Sequence, residues 1–114
     1  MNKSEFEKDL ELDPNQLDVM AAMQAETFFK WAERAVVARE ESERKKFALE
    51  VTQAKLSNNA RMDPEKFKLS KVTEGSINDA VKNHATYLEA MEDYLQARAE
   101  SSILDKAVEA MEQK

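Results

Sequence analysis

The sequence predicts an all-α chain of two long helices joined by a short helical connector containing a proline and the glycine, elongated and oligomer-forming. Three observations predict it. One glycine and two prolines occur among 114 residues, and 35% of the residues are charged. That profile suits long helices and leaves a β-rich fold short of turn residues. Apolar residues recur at three- and four-residue steps over two long stretches, where a strand would use a step of two. Between them lies the segment 60–76, which holds Pro64 and Gly75. A chain of this length makes one domain. Two long helices with a short connector leave apolar surface that further copies of the chain would cover.

Each element has a local reason. Ser4-Glu5-Phe6-Glu7 has the form of a capping box, and Phe6 and Leu10 follow one turn apart, so a short helix is expected over residues 1–12. Asp13-Pro14 restarts the chain with a favoured N-cap and a proline tolerated at the first helical position. No further Gly or Pro intervenes before Asn58-Asn59, which predicts a long helix over residues 13–59, roughly 65 Å at 1.5 Å per residue. Its first half is amphipathic through Leu17, Ala21, Phe28, Trp31, Ala35 and Ala38, with Met20, Met23 and Val36 beside them. The run from Arg39 to Lys46 reads as polar all round. Glu40–Arg44 and Glu41–Lys45 stand four apart in the favoured order and would sustain the helix there. Apolar spacing resumes at Leu49, Ala54 and Leu56.

Residues 60–76 form the connector, with a helical turn expected from Pro64 to Lys68 after the Asp63 cap. Thr73 or Ser76 is expected to cap the C-terminal helix, 77–114. That helix carries Ile77, Ala80 and Val81, a kink at Asn83-His84, and a second stripe: Tyr87, Leu88, Met91, Tyr94, Leu95, Ala99, Ile103, Ala107 and Ala110. Glu112-Gln113-Lys114 lacks a glycine cap, so this last helix is expected to be completed by further chain or by neighbours.

Composition excludes several classes. No cysteine is present, which removes disulfides and thiolate metal sites and suits a reducing cytoplasm. No apolar run approaches the roughly 18 residues of a membrane helix, and the first six residues lead into charge, so neither a signal peptide nor a membrane partner is expected. His84 is the only histidine and has no ligand-spaced partner; it reads as structural or solvated, and no metal site is expected. Glu89, Glu92 and Asp93 lie within one turn of an exposed helix. Neither a phosphate-binding glycine loop nor a metalloprotease motif occurs. No catalytic residue, enzymatic activity or cofactor is expected.

The net charge of −6 is unevenly spread. Residues 1–43 carry 5 basic and 11 acidic side chains, residues 72–114 carry 4 and 9, and residues 44–71 carry 8 and 3. The basic middle holds Arg44, Lys45, Lys46, Lys55, Arg61, Lys66, Lys68 and Lys71. Such a block attracts anions or is a solvated face. Phe67 stands between Lys66 and Lys68. An aromatic ring interleaved with lysines suits single-stranded nucleic acid, where every base offers a stacking face; equally, Phe67 plugs the helix joint while the lysines stay in water. Phe28 and Trp31, by their helical spacing, read as core or interface anchors, and Leu95 and Ile103 of the second stripe read the same way.

The order of these features resembles the UvsY-type recombination mediator family of phages. The resemblance covers about residues 13–114. It rests on Asp13 and Leu17, on Phe28-Phe29-Lys30-Trp31-Ala32-Glu33, and on a charged helix ending near Ala54-Lys55-Leu56. It continues through Arg61-Met62-Asp63-Pro64-Glu65-Lys66-Phe67, Lys71-Val72-Thr73-Glu74 and Ile77 to a long helix through Leu104-Asp105-Lys106-Ala107-Val108-Glu109-Ala110. The resemblance implies a non-enzymatic protein that binds single-stranded DNA as a homo-oligomeric ring. It implies loading of a RecA-like recombinase onto DNA coated by a single-strand-binding protein, in phage recombination and repair inside the bacterial host. The DNA-contacting residues it implies are Lys55 and Arg61, with Lys66, Lys68 and Lys71 near them. A helical coiled-coil adaptor that binds only proteins is the alternative, and the 44–71 basic segment, which an adaptor does not need, separates the two.

Overall fold

The computed structural model describes residues 17–113. The helix expected over 1–12 and the Asp13-Pro14 start lie outside the described residues, as do the side chains of Leu17 and Met20. Three helices follow in order: α1 (Leu17–Met62), α2 (Glu74–Lys82) and α3 (Ala85–Glu112). Among the described residues there is no strand, so this part of the chain is all-α. No helix among them is long and apolar enough to cross a membrane.

The second arm is two helices rather than one. Asn83 ends α2 with its own side chain, its Nδ2 donating to the Asp79 carbonyl at 2.8 Å. His84 opens α3 in the complementary way: its Nδ1 accepts from the Thr86 N–H at 3.1 Å. Each helix end thus carries one side-chain hydrogen bond, the Asp79 carbonyl accepting from the Asn83 N–H as well, and the chain breaks without proline or glycine. Gly75, expected at the break, lies inside α2. The connector between α1 and α2 covers residues 63–73.

The buried face of each long helix repeats every seven residues. In α1, Phe28, Ala35, Ser42, Leu49 and Leu56 form one line and Trp31, Ala38, Lys45 and Thr52 the other, all buried or half-buried. In α3 the lines are Tyr87, Tyr94, Ser101 and Val108, and Ala90, Ala97, Leu104 and Met111. This is the 3.5-residue period of a coiled-coil seam. It corrects three expectations. The 39–46 run is polar in every residue, as expected, but it is not solvated all round, because Ser42 is buried and Glu41 and Lys45 half-buried. Ala21, Met23, Val36 and Ala54 are exposed. On α3, Leu88, Leu95, Ala99, Ile103 and Ala110 face outward, with Leu95 at 46% and Ile103 at 47% exposure, so neither belongs to the core. Residue by residue, Leu95 and Ile103 outrank Ala97 and Ser101. A straight helix buries a whole stripe, however, and the stripe made by these two lines, with Tyr87, Tyr94, Leu104 and Met111, carries more apolar surface.

The described residues form two compact units. One comprises α1 up to residue 41 and α3 from residue 98. Its core is Trp31, Ala35, Leu104 and Met111, with Phe28, Ala38 and Val108 packed around them. Trp31 is wholly buried, and basic side chains help cover it. The Arg34 guanidinium carbon lies 4.6 Å and the Lys30 Nζ 5.3 Å from its ring, giving cation–π attraction while their aliphatic stems shield the indole. Arg39 and Asp105 pair at 2.9 Å on the surface of this unit.

The other unit comprises residues 42–97. Leu49, Leu56 and Ala60 of α1, Ile77 and Val81 of α2 and Tyr87 of α3 form its core. Ile77 and Val81 stand one turn apart, so the short α2 presents a single apolar edge. Phe67 and Leu69 of the connector pack on the same core. This unit holds the candidate site.

Candidate nucleic-acid interface

The site begins where α1 stops. The Asp63 N–H still reaches the Asn59 carbonyl at 2.9 Å, but Pro64 lacks an N–H and pushes the residue before it out of helical geometry. Asp63 then starts a single turn over residues 64–68, its Oδ1 accepting from the Lys66 N–H at 3.4 Å. The turn closes as a Schellman motif. Lys68 N–H donates to the Glu65 carbonyl at 3.0 Å, Leu69 N–H donates to the Pro64 carbonyl at 2.9 Å, and Lys68 takes φ 57°. The expected helical turn from Pro64 to Lys68 is therefore one hydrogen-bonded turn with a left-handed end.

That geometry sorts the Lys66-Phe67-Lys68-Leu69 sequence. Phe67 and Leu69 turn inward onto the core, while Lys66 and Lys68 stay exposed. The Phe67 ring meets the His84 ring at 5.6 Å between centroids, inclined by 33°. Beside the ring pair lies an open groove of about 1000 Å³, lined among others by Leu56, Asn59, Asp63, Lys66, Phe67 and His84. Lys68 and Asn83 also border it.

The far end of the connector is held by a reciprocal cap. Ser76 N–H donates to Thr73 Oγ1 and Thr73 N–H donates to Ser76 Oγ, each at 3.0 Å. The Ser76 hydroxyl donates to the Lys71 carbonyl at 2.6 Å. Thr73 and Ser76, expected as alternatives, act together. An ion pair spans the connector from outside: Arg61 Nη2 reaches both Glu74 oxygens, at 2.7 and 2.9 Å, with both side chains exposed.

Of the residues expected to meet DNA, the groove gathers Lys66, Phe67 and Lys68. Lys55, on α1, and Lys71, near the end of the connector, are exposed but do not line it, and Arg61 is engaged with Glu74. Asn59, Asp63, Asn83 and His84 were not anticipated as site residues. Asp63 and His84 were legible as a cap and a break, but sequence has no signal that puts a histidine 17 positions away against Phe67. Phe67 plugs the joint and also faces the groove, so the two readings of that residue are compatible. No protein family, curated protein or solved structure matches the chain.

Proposed function

We propose that the chain is a non-enzymatic recombination mediator. It binds single-stranded DNA as an oligomer and helps load a RecA-like recombinase onto DNA coated by a single-strand-binding protein. The observation that carries the DNA-binding part is the grouping of Lys66, Phe67 and Lys68 at one groove in a chain of net charge −6. A half-buried ring between two exposed cations offers a base a stacking face and its phosphates a counter-charge. Several copies of such a site around one strand raise avidity without any new contact. The mediator role and its protein partners rest on the resemblance in the sequence.

The test is fluorescence anisotropy with a labelled single-stranded oligonucleotide at several salt concentrations. The affinity should fall with salt, log K declining by about 0.7 per log unit for each phosphate contacted. Lys66→Ala with Lys68→Ala should weaken binding and flatten that slope; Lys55→Ala with Arg61→Ala should do the same if the strand continues along α1. Equal binding after all four changes removes these cations from the interface, and a chain that ignores the oligonucleotide at low salt is a helical adaptor for proteins. Its exposed Phe29, Val36, Val37 and Phe47 would then be the contact residues.

A further inference from the structure

We infer that the groove beside Phe67 holds one nucleobase of the bound strand, guanine in preference to the other three; this rests on the reading that the chain binds single-stranded DNA. Its volume of about 1000 Å³ stands at the upper end of the roughly 300–1,000 Å³ of small-molecule sites. Within the 42–97 unit it collects the three kinds of group that a base and its phosphate need. The first is aromatic surface, the Phe67 and His84 rings, 5.6 Å apart and inclined by 33°. Intercalation between them would need about twice the ~3.4 Å rise of stacked bases, so the base lies against the rings where they line the groove. Phe67 packs on the core and His84 is hydrogen-bonded to the start of α3. The platform is therefore set before the base arrives.

The second requirement is a cation within reach of the phosphates, met by Lys66 and Lys68 of the same lining. The third is hydrogen-bonding groups for the base edge: the Asn59 amide and the Asp63 carboxylate line the groove, with Asn83, whose Nδ2 is engaged at the end of α2, beside them. Asp63 decides the preference. An ionised carboxylate only accepts hydrogen bonds and repels phosphate, so its useful partner in this groove is a donor on the base. Guanine alone presents two adjacent donors, N1–H and the N2 amino group, on its Watson–Crick edge, matching the two carboxylate oxygens. On the same edge thymine presents one donor between two acceptors, and cytosine and adenine each present one amino group beside a ring-nitrogen acceptor. The bond Asp63 already makes, to the Lys66 N–H, is long at 3.4 Å and leaves acceptor positions on both oxygens.

The experiment compares an all-thymine oligonucleotide with one of the same length in which every third base is guanine, for the whole chain and for Asp63→Asn. Asparagine keeps the Oδ1 acceptor that starts the turn, but its amide hydrogens oppose a guanine donor. The parent chain should bind the guanine-containing strand about 5- to 100-fold tighter, the worth of a bidentate base contact. Asp63→Asn should abolish that difference and bind the thymine strand at least as well as the parent. Phe67→Leu, which keeps an apolar side chain on the core, should weaken both strands by about 5- to 100-fold, as loss of one stacked base does. Equal binding of the two strands by the parent, discrimination that survives Asp63→Asn, or a Phe67→Leu chain that melts and binds like the parent overturns the base site while leaving DNA binding intact. Failure of both strands to bind overturns the DNA-binding reading beneath it.

Discussion

Lys68 adopts φ 57°, a conformation that costs an L-residue about 1–2 kcal/mol and glycine almost nothing. It is held there because the turn must hand the chain back to Leu69, which packs on the core. Lys68→Gly should stabilise the fold by about 0.5–1 kcal/mol once glycine's extra unfolded-state entropy is counted, read as a higher denaturant midpoint with an unchanged slope. The same change removes a cation from the groove and should weaken single-stranded DNA binding. Stability and binding moving in opposite directions would show that a lysine is strained here for the sake of its charge. A second residue-scale outcome concerns Glu74, whose carboxylate holds Arg61. Glu74→Gln should raise DNA affinity by about two- to fivefold at low salt, by releasing one cation to the strand. It should move stability by less than about 1 kcal/mol, as expected of an exposed pair. An unchanged affinity would remove Arg61 from the interface.

At the scale of the element, α2 has nine residues, too short to be stable alone. It persists through its cap and through Ile77 and Val81 against the core. Thr73→Ala should cost about 1 kcal/mol, the usual loss for a side-chain cap. Gly75→Ala should gain about 0.5–1 kcal/mol, because Gly75 lies in the first turn with no positive φ. An added Cβ there meets only Thr73 Oγ1, at 4.0 Å. Circular dichroism during urea titration reads both. A destabilising Gly75→Ala would mean that the helix starts later than Thr73. The capping signals were readable in the sequence, since a hydroxyl followed three residues later by a second polar side chain marks a helix start. What misled was the glycine, which reads as a breaker although its neighbours Thr73 and Ser76 already supply the helix start around it.

For the whole molecule, the exposed apolar side chains matter most. Phe29 at 68%, Val37 at 58%, Leu88 at 53%, Leu95 at 46% and Ile103 at 47% exposure lie off the buried seams, and Leu88, Leu95, Ala99 and Ile103 fall at seven- and four-residue steps, one apolar face of α3 of the kind that further copies cover. Sedimentation should therefore give a mass above the 13.0 kDa of one chain at micromolar concentration. Leu95→Glu with Ile103→Glu should bring the mass down to one chain without loss of helical signal, because neither side chain is in the core. Trp31→Glu should instead unfold the unit built on Trp31, since an unpaired buried charge is strongly destabilising. A parent chain that sediments as a monomer throughout would exclude the ring.

Local chemistry determined what is local here. The scarcity of Gly and Pro, the Asp63-Pro64 stop, the Thr73-Ser76 cap and the alternation in Lys66-Phe67-Lys68-Leu69 each act within a few residues, and each left its mark in the sequence. The class of fold and the position of the charged connector follow from them. Tertiary packing decided the rest. Which line of α3 is buried depends on the summed contacts of that line, so Ser101 is buried while Leu95 and Ile103 are not. The groove depends on helix ends and a connector converging in space, with Asn59, Asp63, Phe67 and His84 on one lining. No spacing along the chain encodes that convergence, because it is produced by Phe67, Leu69, Ile77 and Val81 all seeking the same core.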